Sequence, residues 1–217
     1  MKKLFLLLLP GMLLLAGSAE AQLQKGTVHW GTTITANGNN MKNEAPNESE
    51  SKSSVTNIYP SLQTGWFTRD NFMFGLRLST SHAFFKTSYD YPGSSGRNSG
   101  NSLAVNLTPF IRKYKPISPK WALYLHSGVN LAYLRSKMPM EGGTKYDNGY
   151  SGGVYINPGV VFWVTPRFAL ESDFNVLSLS ANYVSFRDQN QFNLNAGVTS
   201  SISQYFGIRA AWYLQPK

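Results

Sequence analysis

The chain is predicted to be all-β: an eight-stranded antiparallel up-and-down transmembrane β-barrel. Three observations predict it. The last segment alternates from Phe192 to Leu214, with Phe192, Leu194, Val198, Ile208, Trp212 and Leu214 on one parity and mostly small or polar residues on the other. A period of two is a strand with one apolar and one polar face, and about 9–11 residues suffice for a strand to cross a bilayer. The start of the chain reads as an export signal. Met1-Lys2-Lys3 is basic, Leu4 to Ala16 is apolar apart from Pro10 and Gly11, and Ala19-Glu20-Ala21 offers a small-x-small cleavage site. Residues 1–21 are therefore assigned to a signal peptide and 22–217 to one barrel domain. Composition is the third observation: aromatic and charged residues each make up 14%, and no second apolar run approaches spanning-helix length. Lipid and lumen faces average out along each strand of such a barrel.

The chain has no cysteine, which excludes both a lipid-anchored cysteine after the signal and any disulfide framework. The net charge of +9 becomes +8 once Lys2, Lys3 and Glu20 are removed. It does not indicate nucleic acid, because it gathers near short turns (Arg69, Arg112, Lys113, Lys115, Lys120, Arg167) and inside strands.

Eight strands follow in order, at about 25–35, 55–67, 72–85, 101–113, 121–135, 151–164, 168–182 and 192–214. Thr68-Arg69-Asp70-Asn71, residues 115–120 and Thr165-Pro166-Arg167 are short turns. Residues 36–54, 86–100, 136–150 and 183–191 are longer, rich in Asn, Ser, Gly and Asp, and read as loops, the first of them mobile. A hairpin near Ser200 to Gln204 would raise the strand count, but the alternation runs through it. Short turns on one rim and long loops on the other is the outer-membrane arrangement, with the turns periplasmic. Aromatics flank every short turn: Trp66, Phe67, Phe72, Tyr114, Trp121, Trp163, Phe168, Trp212 and Tyr213 are expected to form an interfacial girdle. Near the other rim lie Phe84, Phe85, Tyr133, Tyr150, Tyr155, Tyr183 and Phe186.

The stretch Ile58-Tyr59-Pro60-Ser61-Leu62-Gln63-Thr64-Gly65-Trp66-Phe67, running through a turn into Phe72-Met73-Phe74-Gly75-Leu76, resembles the small outer-membrane β-barrel domain family of OmpA/OmpX-like, porin-family type. So does Leu107-Thr108-Pro109-Phe110-Ile111-Arg112-Lys113-Tyr114 followed by Trp121-Ala122-Leu123-Tyr124. The resemblance covers most of residues 22–217 and is architectural. It implies the outer membrane of a Gram-negative bacterium, with outer-membrane lipid around the barrel. It also implies handling by periplasmic chaperones and by a barrel assembly machinery that reads a terminal aromatic strand. Here that end is Trp212-Tyr213-Leu214, with Gln215-Pro216-Lys217 beyond it.

Alternation alone does not say which face is inside, and a soluble lipocalin-like barrel would bury the apolar one. Strand length, rim aromatics and charges on the second face favour the membrane arrangement. On that face Arg77, Arg112, Glu171, Asp173 and Arg209 each lie a few residues from a short turn or the chain end, so they are expected at one height as an ion-pair plug. The competing arrangement has some of them, Arg112 first, reaching to the rim.

No catalytic, cofactor-binding or metal-binding set is expected. His29, His82 and His126 lack metal-ligand spacing, and no cysteine supplements them. His126-Ser127 invites comparison with outer-membrane lipid hydrolases, but adjacent strand residues point to opposite faces. The leading expectation is a non-enzymatic barrel serving envelope integrity or surface contacts through its loops. A small passive pore, a lipid-modifying enzyme and the soluble binding barrel are the alternatives; any extracellular partner is unspecified.

Overall fold

The computed structural model describes residues 23–45, 49–91, 93–140, 143–174, 177–186, 189–198 and 206–216. The expected signal, residues 1–21, and the stretch 200–204 considered for a hairpin lie outside them. Strand is the only extended regular element among the described residues. In chain order the strands are β1 Val28–Ala45, β2 Ser49–Arg69, β3 Phe72–Tyr91, β4 Ser94–Ser118, β5 Trp121–Met140 and β6 Gly143–Trp163. They continue with β7 Phe168–Phe174, β8 Leu177–Phe186, β9 Gln189–Val198 and β10 Phe206–Leu214. Strands β1 to β6 pair antiparallel with their sequence neighbours, β7 and β8 pair with successive stretches of β6, and β10 lies between β7 and β1. With β9 alongside β8, the ten segments make eight courses in a closed ring. Among the described residues β10 pairs with β7 and β1, and β9 pairs with β8.

Side-chain exposure settles which face is inside. Trp30, Leu62, Trp66, Phe74, Leu78, Leu107, Leu125 and Leu131 point outward, while His29, Gln63, Arg112, His126, Glu171 and Arg209 are buried within. An apolar wall around a polar interior is the reverse of a soluble ligand-binding barrel and the pattern of a membrane one. The lipocalin-like arrangement is not the one adopted.

Three sequence expectations need correction. The polar segments 36–54, 86–100, 136–150 and 183–191 are paired strands almost to their tips. The β1–β2 ladder runs to Ala45↔Ser49, β3–β4 to Tyr91↔Ser94, β5–β6 to Met140↔Gly143 and β8–β9 to Phe186↔Gln189. Both faces of these extensions meet water, so the apolar–polar contrast that marks a strand fades while the backbone ladder continues. At 21 residues, β2 is about twice the ~9–11 that suffice for a strand to cross a bilayer.

The expected strand 168–182 is broken between β7 and β8. Moving three residues along β6, from Gly159 to Ile156, corresponds to six on the partner course, from Asp173 to Leu179. An odd slip exchanges faces: Asp173 faces the lumen, whereas Leu179, of the same parity, is half exposed on the outer wall. Without it, Leu179 would point inward. Pro158 sits at the break, paired with Leu125 on β5 and with no strand partner on its other side among the described residues. Having no N–H to give, it cannot hold the ladder there.

The strand expected from residue 25 begins at Val28. Gly26 takes a left-handed φ of 88° and turns Leu23 under the barrel. Asn71 N–H donates to the Leu23 carbonyl (2.8 Å), Gly26 N–H to the Phe67 carbonyl (2.8 Å) and Lys25 N–H to the Asp70 carboxylate (2.7 Å). This anchors the N-terminal segment across the short-turn end.

Candidate functional site

The interior is packed with side chains of one parity from each strand. At the short-turn end Leu23, Phe67, Met73, Tyr114, Trp163 and Tyr213 form a buried apolar floor. Its rings meet at centroid distances of 5.4 Å (Phe67–Tyr114) and 5.5 Å (Trp163–Tyr213), within the range of favourable aromatic contacts. Phe67, Tyr114, Trp163 and Tyr213 were expected in the lipid interface and are instead inside. Pleating is the reason: Trp66 and Phe67, or Trp212 and Tyr213, are neighbours and must take opposite faces. Trp66, Trp121 and Trp212 are exposed on the outer wall, with Phe72 and Phe168 half-buried beside them. At the other rim Phe84, Tyr133, Tyr150 and Tyr183 are exposed outward, whereas Tyr155 reaches His126 in the lumen.

Above the floor the structure brings Arg77, Arg112, Glu171, Asp173 and Arg209 into one network. Glu171 is fully used. Its Oε2 accepts from Arg112 Nη1 (2.7 Å) and Arg209 Nη1 (2.8 Å), and its Oε1 from His29 Nε2 (2.8 Å) and the Tyr213 hydroxyl (2.7 Å). That occupies the roughly four lone-pair positions of a carboxylate. Arg209 bridges the two acids, its Nη2 donating to Asp173 Oδ2 at 2.5 Å. The Tyr124 hydroxyl donates to Asp173 Oδ1 (2.7 Å), and Arg77 Nη2 stands 3.7 Å from Asp173 Oδ2. Gln63 Oε1 receives Arg77 Nε (3.1 Å) and Arg112 Nη2 (3.4 Å). The Arg112 guanidinium also lies 5.1 Å from the Phe110 ring and 4.7 Å from that of Tyr124. Arg112, expected as the residue most prone to reach the rim, is fully buried.

His126 belongs to this network. Its Nδ1 donates to Asp173 Oδ1 (3.4 Å), the tautomer a carboxylate partner selects, which leaves Nε2 to accept from the Tyr155 hydroxyl (3.0 Å). Ser127, next in the strand, pairs at Ile111 and Ile156 on the outer face, so the two side chains are separated by the wall. Among the described residues no cluster of metal-ligating side chains occurs.

The sequence reading missed His29, Gln63, Tyr124, His126, Tyr155 and Tyr213 as members of the network. Parity could have found them: Tyr124 shares a face with His126, and Tyr213 with Arg209. Lumen glycines make room for these side chains. A Cβ on Gly159 would lie 2.2 Å from the Tyr124 ring, and one on Gly75 would lie 2.3 Å from Phe110 Cζ.

Fold and interior together define a closed eight-course β-barrel with an apolar exterior and a side-chain-filled lumen. No protein-family model and no curated protein matches the chain, so the family resemblance rests on architecture. Among solved structures it is similar to Neisserial surface protein A (NspA), with 15% identity over 88% of this chain and 98% of that one, at a TM-score of 0.39. It is also similar to the β domain of the Bordetella autotransporter BrkA, with 8% identity over 88% and 99% and a TM-score of 0.15.

Proposed function

We propose that the chain is a non-enzymatic outer-membrane β-barrel protein of a Gram-negative bacterium. Its short turns face the periplasm, and it serves envelope integrity or surface contact through its four projecting hairpins. The observation that carries this reading is the pairing of an apolar outer wall with a lumen filled by an ion-pair network over an aromatic floor. A protein so built holds a place in a membrane and presents stiff β-ribbons beyond it. It offers no route for solutes, because eight strands leave room for side chains and little else. Against lipid chemistry stands the separation of His126 and Ser127 by the barrel wall. The export signal at residues 1–21 and cleavage near Ala21 belong to the same proposal.

Cell fractionation followed by electrophoresis of boiled and unboiled samples tests the location and the closed barrel. Recovery in the outer membrane with faster migration before boiling is the expected result. A soluble protein without that shift would sink the reading. Planar-bilayer recording then tests the sealed lumen, and stable large-conductance steps would revive the pore.

A further inference from the structure

Beyond the apolar wall, the outward face of the β1–β2 and β3–β4 hairpins turns basic. Phe84 is an exposed outward aromatic on β3; the next residue on that face is Lys86, followed by Ser88. Pairing sets Ser54 beside Lys86. One step farther out it sets Lys42, Lys52, Ser88 and Arg97 in a single row across four strands. At about 4.8 Å per strand the row is about 14 Å wide. A groove of about 460 Å³ runs over it, lined by Lys42, Lys52, Ser54, Lys86, Ser88 and Arg97 among others.

Lys42 and Lys52 are direct cross-strand partners, a like-charge pairing that costs stability. Glu50 offsets part of this: it binds the Lys52 ammonium and lies 3.5 Å from that of Lys42. The Lys52 contact holds the Glu50 carboxyl below its ordinary value. Asp90, paired with Glu50, borders the same end. Glu44 completes that acidic row, so four basic residues stand beside three acidic ones; Lys86 and Arg97 make no ion pair among the described residues, and the positive excess lies with them. Its place matters as much as its sign. The row lies on the side of the ribbons immediately above the aromatic rim, and the β1–β2 ladder continues three pairs beyond Lys42↔Lys52. A cation there faces lipid headgroups laterally rather than the medium beyond the tips.

We propose that this patch binds the phosphate of an anionic glycolipid in the leaflet from which the hairpins emerge. The inference rests on the outer-membrane reading above. The test compares the wild type with the Lys52→Gln/Lys86→Gln/Arg97→Gln variant, both refolded in detergent, with the gel shift of each read first. Native mass spectrometry then measures binding of bisphosphorylated lipid A, phosphate-free lipid A and inorganic phosphate. The expected result is a preference of the wild type for the phosphorylated lipid of about tenfold or more, lost in the variant while its gel shift persists. Equal binding by the two proteins, or equal binding of the phosphate-free lipid, overturns the proposal. Inorganic phosphate that displaces the lipid at a similar concentration overturns the lipid source. A wild type without the gel shift overturns the barrel reading and the proposal with it.

Discussion

Replacing Glu171 by alanine probes the plug where its charges are most interdependent. Arg209 would keep Asp173 at 2.5 Å, but Arg112 would be left with the 3.4 Å contact to Gln63 Oε1 and the Phe110 and Tyr124 rings, with no carboxylate bonded to it. His29 Nε2 loses the acceptor at 2.8 Å, and Tyr213 keeps only the 3.4 Å contact to Tyr114. The variant therefore leaves one fully buried guanidinium without a counter-charge. Orphaning one member of a buried pair costs about 3–5 kcal/mol. Urea titration of the refolded barrel, followed by the boiled–unboiled band shift, reads this as a lower midpoint at unchanged slope. Removing both members as Arg112→Leu/Glu171→Leu should recover at least about half of the loss, because an apolar pair strands no charge. A Glu171→Ala shift below about 0.5 kcal/mol, the range of surface substitutions, would refute the plug as a stabilising unit. A strictly additive double variant would refute the assignment of the cost to Arg112.

Three further outcomes are expected. Val129→Arg sets a charge on the outer wall between Trp121 and Tyr133, and should cost about 2–4 kcal/mol in refolding into vesicles; a neutral result would mean that this face does not meet lipid. Gly75→Ala introduces a methyl 2.3 Å from Phe110 Cζ and 2.6 Å from the Thr64 carbonyl oxygen, and should lower the urea midpoint by about 1–3 kcal/mol. Replacing residues 41–53 by Asn-Gly, which shortens the β1–β2 hairpin to the Asn40↔Ser54 pair, should leave that midpoint within about 0.5 kcal/mol, since the removed pairs cover no lumen residue of the network.

Period-two patterning was legible wherever a strand crosses the apolar band, because there the two faces meet different solvents. It failed in the hairpins: Asn39, Asn40, Ser53 and Ser54 are polar on both faces, so composition read as loop what the backbone continues as ladder. Charges and aromatics differed for a related reason. A buried carboxylate and guanidinium have few places to go in a narrow barrel, and Arg77, Arg112, Glu171, Asp173 and Arg209 could be brought together by counting from the turns. An aromatic beside a turn suits both the interface and the lumen floor, and only strict parity separates Trp66 from Phe67. The break between β7 and β8 was also visible, as a change of phase between Asp173 and Leu179 with Pro158 opposite. Reading 168–182 as unbroken overlooked it.

The ring is closed by a seam between its first and last strands. β1 and β2 share a register of paired residues from Val28↔Trp66 to Ala45↔Ser49, and among the described residues β1 and β10 pair from Val28↔Leu214 to Thr32↔Ala210. The β1–β10 seam joins the first strand to the last, so it demands the largest loop closure and cannot form until the last strand is available. The barrel thus has a built-in order of assembly: a curled sheet grown from local hairpins, zipped last where β10 meets β1. Closure in that order gives a cylinder that is symmetric in outline a definite front and back in time.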